Sequence, residues 1–251
     1  MSRPTLIARK YGHIQRHHAT SADLRAYVAT LSGGKVNVAF SMGKDAIAAF
    51  LALREVPGLE LSAHHSYLIP GLEFVDAWLA YYERKLGIKI HQVPHYSFFR
   101  YLEFDVFQTP ESSARLRPFR FRHYTNAHMH DYAREVCGVP VGTYVATGVR
   151  ACDSPARRTT FAVNGSLNPW MRTFCPVFDW TIADVCEAIK RSGLALPVDY
   201  LMFGRSFDGI DFRFLSKIRE RFPRDYDRIL EWVPMADLEM KRRTLGTIAG
   251  A

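Results

Sequence analysis

The residues best placed to do chemistry are Ser41-Met42-Gly43-Lys44-Asp45, set between an apolar run that ends at Phe40 and another that begins at Ala46. A tight turn at this point opens a helix. The unpaired N–H groups of a first helical turn, together with the positive end of the helix dipole, attract anions. Gly43 has no Cβ to keep a ligand from the backbone, and Lys44 adds a compact positive charge. Asp45 suits a magnesium ion, which prefers oxygen ligands and shared phosphates, and suits equally well a helix start. Read alone, the stretch serves as well for a plain strand-to-helix turn with a solvated lysine. Ser32-Gly33-Gly34-Lys35 is a rival of similar composition. It follows a helix and precedes a strand, so its glycines serve most simply as a helix stop. The stretch at Ser41 is not a Walker loop, which requires glycine where Val38 stands and serine or threonine where Asp45 stands.

Other reactive residue types are less organised. Cys137, Cys152, Cys175 and Cys186 form no CxxC pair, so neither a zinc ribbon nor a dithiol motif is expected, and a reducing, cytoplasmic setting fits. His64 and His65 are adjacent, and adjacent residues of a strand face opposite sides. His128 and His130 on a helix point about 200° apart, so these and His123 read as ordinary histidines. Arg115, Arg117, Arg120 and Arg122 surround Phe119 and Phe121. That pattern fits phosphate contact with base stacking, or equally a loop anchored by its phenylalanines with its arginines in water.

The net charge of +8 favours an anionic partner: a nucleotide, a sulfate ester or a nucleic acid. The longest apolar stretch, Ala46 to Leu53, is far shorter than the roughly 20 residues of a membrane span, so no membrane is expected as a partner. Residues 1–20 hold Arg3, Arg9, Lys10 and Arg16 without an acidic residue; they read as a basic arm, lacking the apolar block and cleavage site of a signal peptide.

These residues must be positioned by alternating strands and helices. "SADLRAYVATL" reads as a serine-capped helix that stops at Gly33-Gly34, followed by the strand "KVNVAFS" and a helix from Lys44 to Arg54. "LELSAHHSYLI" is a second strand, "LEFVDAWLAYYERKLG" a helix ending on glycine, and "IKIHQVPH" a third strand. Residues 104–118 look like a loop or insertion. "FRHYTNAHMHDYAREVCG" then predicts a helix, "TYVATGVR" a fourth buried strand, "FCPVFDW" a last strand and "TIADVCEAIKRSG" a helix with a threonine start. The segment 211–243 reads as mostly helical. Alternation of this kind predicts a doubly wound, mostly parallel α/β sheet with helices on both faces and a helical C-terminal extension. The domain boundaries expected are 1–20 for the arm, 21–200 for the nucleotide-binding α/β domain and 201–251 for the extension.

"AFSMGKDA" resembles the pyrophosphatase loop, written SGGKDS, of the adenine nucleotide α-hydrolase superfamily. Ser41, Gly43, Lys44 and Asp45 match, while Met42 replaces a glycine and Ala46 the last serine. "TGVRACDSPARR" is similar to the GxRaxxSxxR stretch of the phosphoadenosine phosphosulfate reductase-like branch, and "VFDWTIADVCEAI" resembles that branch's downstream segment. The likeness spans roughly residues 35 to 200. It implies that Phe40, Ser41, Met42, Gly43, Lys44, Asp45, Gly148, Arg150, Ser154, Arg157 and Arg158 line the nucleotide site. Lys44, Asp45 and Arg150 would be catalytic and Asp45 would hold Mg²⁺. The chemistry of the residues agrees: arginines offer forked donors to phosphate or sulfate oxygens, and Ser154 offers a hydroxyl.

What the resemblance implies about activity is ATP cleaved to AMP and pyrophosphate, activating an acceptor that the sequence leaves unnamed, in nucleic-acid or sulfur modification. Such an enzyme binds ATP, or a relative such as phosphoadenosine phosphosulfate. Related proteins that thiolate nucleic acids make a nucleic-acid substrate a second expected partner, and a homo-oligomer is left open. The alternatives are a sulfonucleotide reductase and a non-catalytic nucleotide- or nucleic-acid-binding protein. The reductase branch carries its nucleophilic cysteine on a C-terminal tail, and here no cysteine follows Cys186. Cys152, inside the arginine stretch, is the residue left to test as a substitute.

Overall fold

Among the described residues the fold is built on a six-stranded sheet in which β1 is parallel to both of its neighbours and one edge strand is antiparallel, and it was obtained as a computed structural model. The structure describes residues 20–119 and 124–248, with side chains through Arg242. Residues 1–19 of the basic arm expected at 1–20, and Arg120, Phe121, Arg122 and His123 of the arginine-phenylalanine cluster, lie outside the described residues.

In chain order the elements begin with α1 (Ser21–Leu31), β1 (Lys35–Ala39), α2 (Lys44–Arg54), β2 (Glu60–Tyr67), α3 (Glu73–Leu86) and β3 (Ile90–Pro94). Then come α4 (Tyr96–Glu103), α5 (Pro110–Leu116), α6 (Asn126–Val136), β4 (Tyr144–Ala146), a 3₁₀ turn at Ala151–Asp153 and α7 (Pro155–Asn164). The edge pair β5 (Leu167–Asn168) and β6 (Thr173–Phe174) leads to α8 (Ile182–Ser192), α9 (Val198–Phe203), α10 (Phe212–Arg221), α11 (Pro223–Trp232) and α12 (Asp237–Ile248). The sheet order is β3-β2-β1-β4-β6-β5, mostly parallel, with β5 antiparallel to β6. The chain therefore steps one way from β1 to β3 and the other way from β4 on. Open α/β sheets bind ligands where the direction reverses, outside the carboxyl ends of the strands.

The chain divides into two units. The first takes the chain through His65, then Ile88–His91 and His130–Ala195; the second takes Ser66–Gly87, Gln92–Met129 and the chain from Leu196 on. In the first unit α2 is buried nearly all round, from Ala46 to Leu53, as its uniformly apolar sequence requires. Its alanines allow close packing: Ala49 and Ala52 meet Val177, with Trp180 against them. In the second unit an aromatic core joins Phe74 to Phe222 at 5.3 Å, Phe98 to Trp232 at 5.1 Å and Phe203 to Phe214 at 4.9 Å.

Three expectations from sequence change in detail. The cap of α1 is Thr20, whose hydroxyl accepts from Asp23 N, while Ser21 is already helical and donates its N–H to Asp179. Residues 104–118 contain a helix: Pro110 starts α5 and Thr109 caps it by accepting from Ser112 N. Proline disfavours a helix interior but fits its first turn, so the proline read as a loop signal is a helix start. Of "FCPVFDW" only Phe174 is in a strand, the two-residue Thr173–Phe174, because Pro176 has no N–H for a ladder and turns take over, Phe178 N donating to Cys175 O. The helix ending at Gly33-Gly34 is as the sequence order predicts, with Gly34 N donating back to Ala29 O.

Candidate functional site

Strands β1 and β4 are parallel neighbours, with Val36 opposite Tyr144 and Val38 opposite Ala146. Their carboxyl ends therefore release two loops side by side: residues 40–43 after β1 and 147–150 after β4. The contact between them is unusually close. A Cβ built on Gly148 would stand 2.6 Å from Ala46 N and Asp45 C and 2.7 Å from Asp45 O. Only glycine fits there, and it sets the second loop directly on the first turn of α2.

The first loop is held at its start. Phe40, fully buried, donates its N–H to His64 O at 2.7 Å, and its carbonyl lies 3.1 Å from His65 Nδ1. Met42, where the resembling loop has glycine, has φ 60° and is buried. That left-handed conformation is uncommon for a side chain with a Cβ. Gly43 is the N-cap of α2 and brings no side-chain acceptor. Ser41 is exposed and Gly43 buried.

Charge alternates across the two loops. Lys44 Nζ is 2.6 Å from Asp45 Oδ2, and Arg150 Nε is 2.8 Å from Asp45 Oδ1, an ion contact whose N–H is not aimed at the oxygen. Arg150 is almost wholly buried, and its other nitrogens are engaged. Nη2 donates to Asp153 Oδ1 at 2.9 Å, and Nη1 donates to Trp180 O at 3.2 Å and to Cys152 Sγ at 3.1 Å. Asp153 also accepts from Arg150 N at 3.0 Å and from Arg157 Nη1 at 2.8 Å. It thus fixes both arginines, and Arg150 acts within the site as a strut between Asp45 and Asp153. Ser154 caps α7 by accepting from Arg157 N, which leaves its hydroxyl hydrogen to give. Arg157 and Arg158 are exposed on the first turn of α7.

Every residue expected from sequence to line the nucleotide site lies in the first unit, on one of these two loops or at the start of α2 or α7, whereas Arg115, Arg117 and Phe119 of the arginine-phenylalanine cluster lie in the second. Asp153 and His65 were missed. Asp153 stands three residues after Arg150 and four before Arg157, a helical spacing for ion pairs that the sequence did display. His65 had no local signal, because its contact comes from strand pairing.

The histidines read as ordinary include a buried pair. His64 Nδ1 is 2.5 Å from Asn37 Oδ1, and the His64 and His130 rings are 6.2 Å apart. Burial, with smaller repulsion from His130 and other neighbouring cations, pushes His64 down to about 3. Among the described residues no group of three or more His, Cys, Asp or Glu could hold a metal. Asp45 offers one carboxylate, already shared with Lys44 and Arg150. It fits magnesium only as a single ligand, the others coming from phosphate and water. Also among the described residues, no helix is long and apolar enough to cross a membrane.

No protein-family model matches this chain, and no curated protein matches it. Among solved structures with a similar fold is the U34-tRNA thiolase NcsA from Methanococcus maripaludis, solved with its 4Fe-4S cluster. It is 14% identical, with a TM-score of 0.43, over 94% of this chain and 85% of that one. A likeness at that level assigns neither ligand nor activity.

Proposed function

We propose that this protein is an adenine-nucleotide-binding enzyme with a pyrophosphatase-type loop, of the phosphoadenosine phosphosulfate reductase-like branch, that splits ATP into AMP and pyrophosphate to activate an acceptor. The observation that carries the reading is the contact of Gly148 with Asp45. Two stretches far apart in sequence, each resembling one half of that branch's site, meet over one helix N-terminus.

The chain's residues divide the work by position. The first-turn amides of α2 and Lys44 would hold the leaving pyrophosphate, where charge builds as the bond to the α-phosphorus breaks. Arg158, exposed on the first turn of α7, would cover its outer oxygens with a forked donor, while Arg157 is held beside it by Asp153. Arg150 and Asp153 would keep this arrangement in register. Magnesium, brought with the nucleotide, would neutralise phosphate charge beside Asp45. No protein nucleophile is needed, since positioning and charge stabilisation suffice for phosphoryl and nucleotidyl transfer. A nucleic-acid substrate fits the +8 net charge.

The test is ATP binding by calorimetry and release of AMP and pyrophosphate with candidate acceptors. Lys44→Ala is expected to weaken ATP binding at least tenfold. Wild-type protein that binds no adenine nucleotide would refute the reading. The reductase reading rests on Cys152, exposed, with its thiol donating to Trp180 O at 3.3 Å and Arg150 beside it. It predicts thiol-dependent sulfite release from a sulfonucleotide, lost in Cys152→Ser.

A further inference from the structure

A cavity of about 400 Å³ lies in the first unit between α7 and the edge strands β5 and β6. Phe161, Asn164, Ser166, Asn168, Phe174 and Cys175 are in its wall, and none of its lining residues is charged. The volume is that of a small-molecule site. Aromatic rings, carboxamides and hydroxyls without ionic groups suit an uncharged planar ring with hydrogen-bonding edges. The Cys175 thiol is itself neutral, burial pushing it up to about 11.

A cation lies on the helix that lines the cavity. Residues 157, 160, 161 and 164 recur at helical spacing, so Arg157 shares the face of α7 that lines the cavity with Thr160, Phe161 and Asn164. Its charge is felt at Cys175. On the wall, Thr147 Oγ1 lies 3.4 Å from Cys175 Sγ, and the next residue, Gly148, rests on Asp45. An occupant with a neutral ring inside and an anionic group at the rim would reach Arg157, next to the proposed phosphate loop.

The geometry points to a second binding site, for the uncharged base of a nucleoside monophosphate unit whose phosphate meets Arg157. Resting on the reading above, this makes the acceptor a nucleotide, held beside the ATP that activates it.

The experiment titrates the four nucleoside 5′-monophosphates into full-length protein already saturated with ATP, by ligand-detected NMR. Thr160 and Asn164 are both exposed at the rim, so Thr160→Trp and Asn164→Arg can obstruct the cavity, with a thermal melt to confirm folding of each. At least one monophosphate is expected to bind and to lose at least tenfold in both folded variants, while ATP binding in them stays within twofold. The same monophosphate is expected to bind Lys44→Ala as well as wild type. Absence of binding to wild type, indifference to both rim variants, or loss in Lys44→Ala would each overturn the proposal, the last placing the monophosphate in the phosphate loop. Failure of ATP alone to bind refutes the loop reading instead, and the monophosphate titration without ATP then still decides the cavity.

Discussion

At the scale of single residues, the site depends on one missing atom. Gly148 leaves the space that a methyl group would take from the backbone of Asp45 and Ala46, atoms that cannot move without shifting the first turn of α2. Overpacking against fixed neighbours costs about 1–3 kcal/mol. Gly148→Ala is therefore expected to lower the unfolding free energy measured in urea by that amount and to reduce ATP affinity at least tenfold. A variant that binds ATP like wild type would separate the contact from the site. The resemblance placed Gly148 among ligand-contacting residues, and the structure supplies a packing reason for glycine there. Arg150 is similar: its type suited a phosphate contact, but its burial and its carboxylate partners make it a connector.

At the scale of elements, the second unit depends on a cap supplied from far along the chain. Asp225, on the first turn of α11, accepts from Glu73 N at 2.6 Å and Phe74 N at 3.1 Å, closing the start of α3. Leu72, the N-cap by position, provides no side-chain bond. Two first-turn donors would lose their acceptor in Asp225→Ala. The expected loss is about 1–2 kcal/mol in chemical denaturation, with Asp225→Asn falling between, since its carbonyl oxygen still accepts one bond. Loss of the first α3 amides' protection in hydrogen exchange should accompany it. Helix spacing was legible for α2, α3 and α8 because apolar periodicity, a glycine stop and a threonine start are local signals. Helix α5 was not, since its proline carried two meanings that local sequence does not separate.

At the scale of the whole molecule, acid stability follows from His64. Its folded value, about 3, lies below the ordinary histidine value of 6.5, so the unfolded chain binds a proton that the folded one refuses. The contribution of His64 is complete above pH 6.5 and is lost as the pH drops towards about 3, with a slope of about 1.4 kcal/mol per pH unit. Asp199 and Asp225, raised by burial, have the opposite sign, gaining protons more readily when folded. A comparison with His64→Gln therefore isolates the histidine: urea unfolding from pH 7 to 4 should show a flatter profile in the variant. Equal profiles would remove His64 as the cause.

The sequence by itself determined the alternation of strands and helices and the helix start at Lys44, because each is written in neighbouring residues. Only the tertiary structure decided that β1 and β4 lie side by side, that Gly148 touches Asp45, that Asp153 holds two arginines and that an uncharged cavity borders them. Strand pairing joins residues more than a hundred positions apart, and nothing in the local chain records which strand becomes whose neighbour.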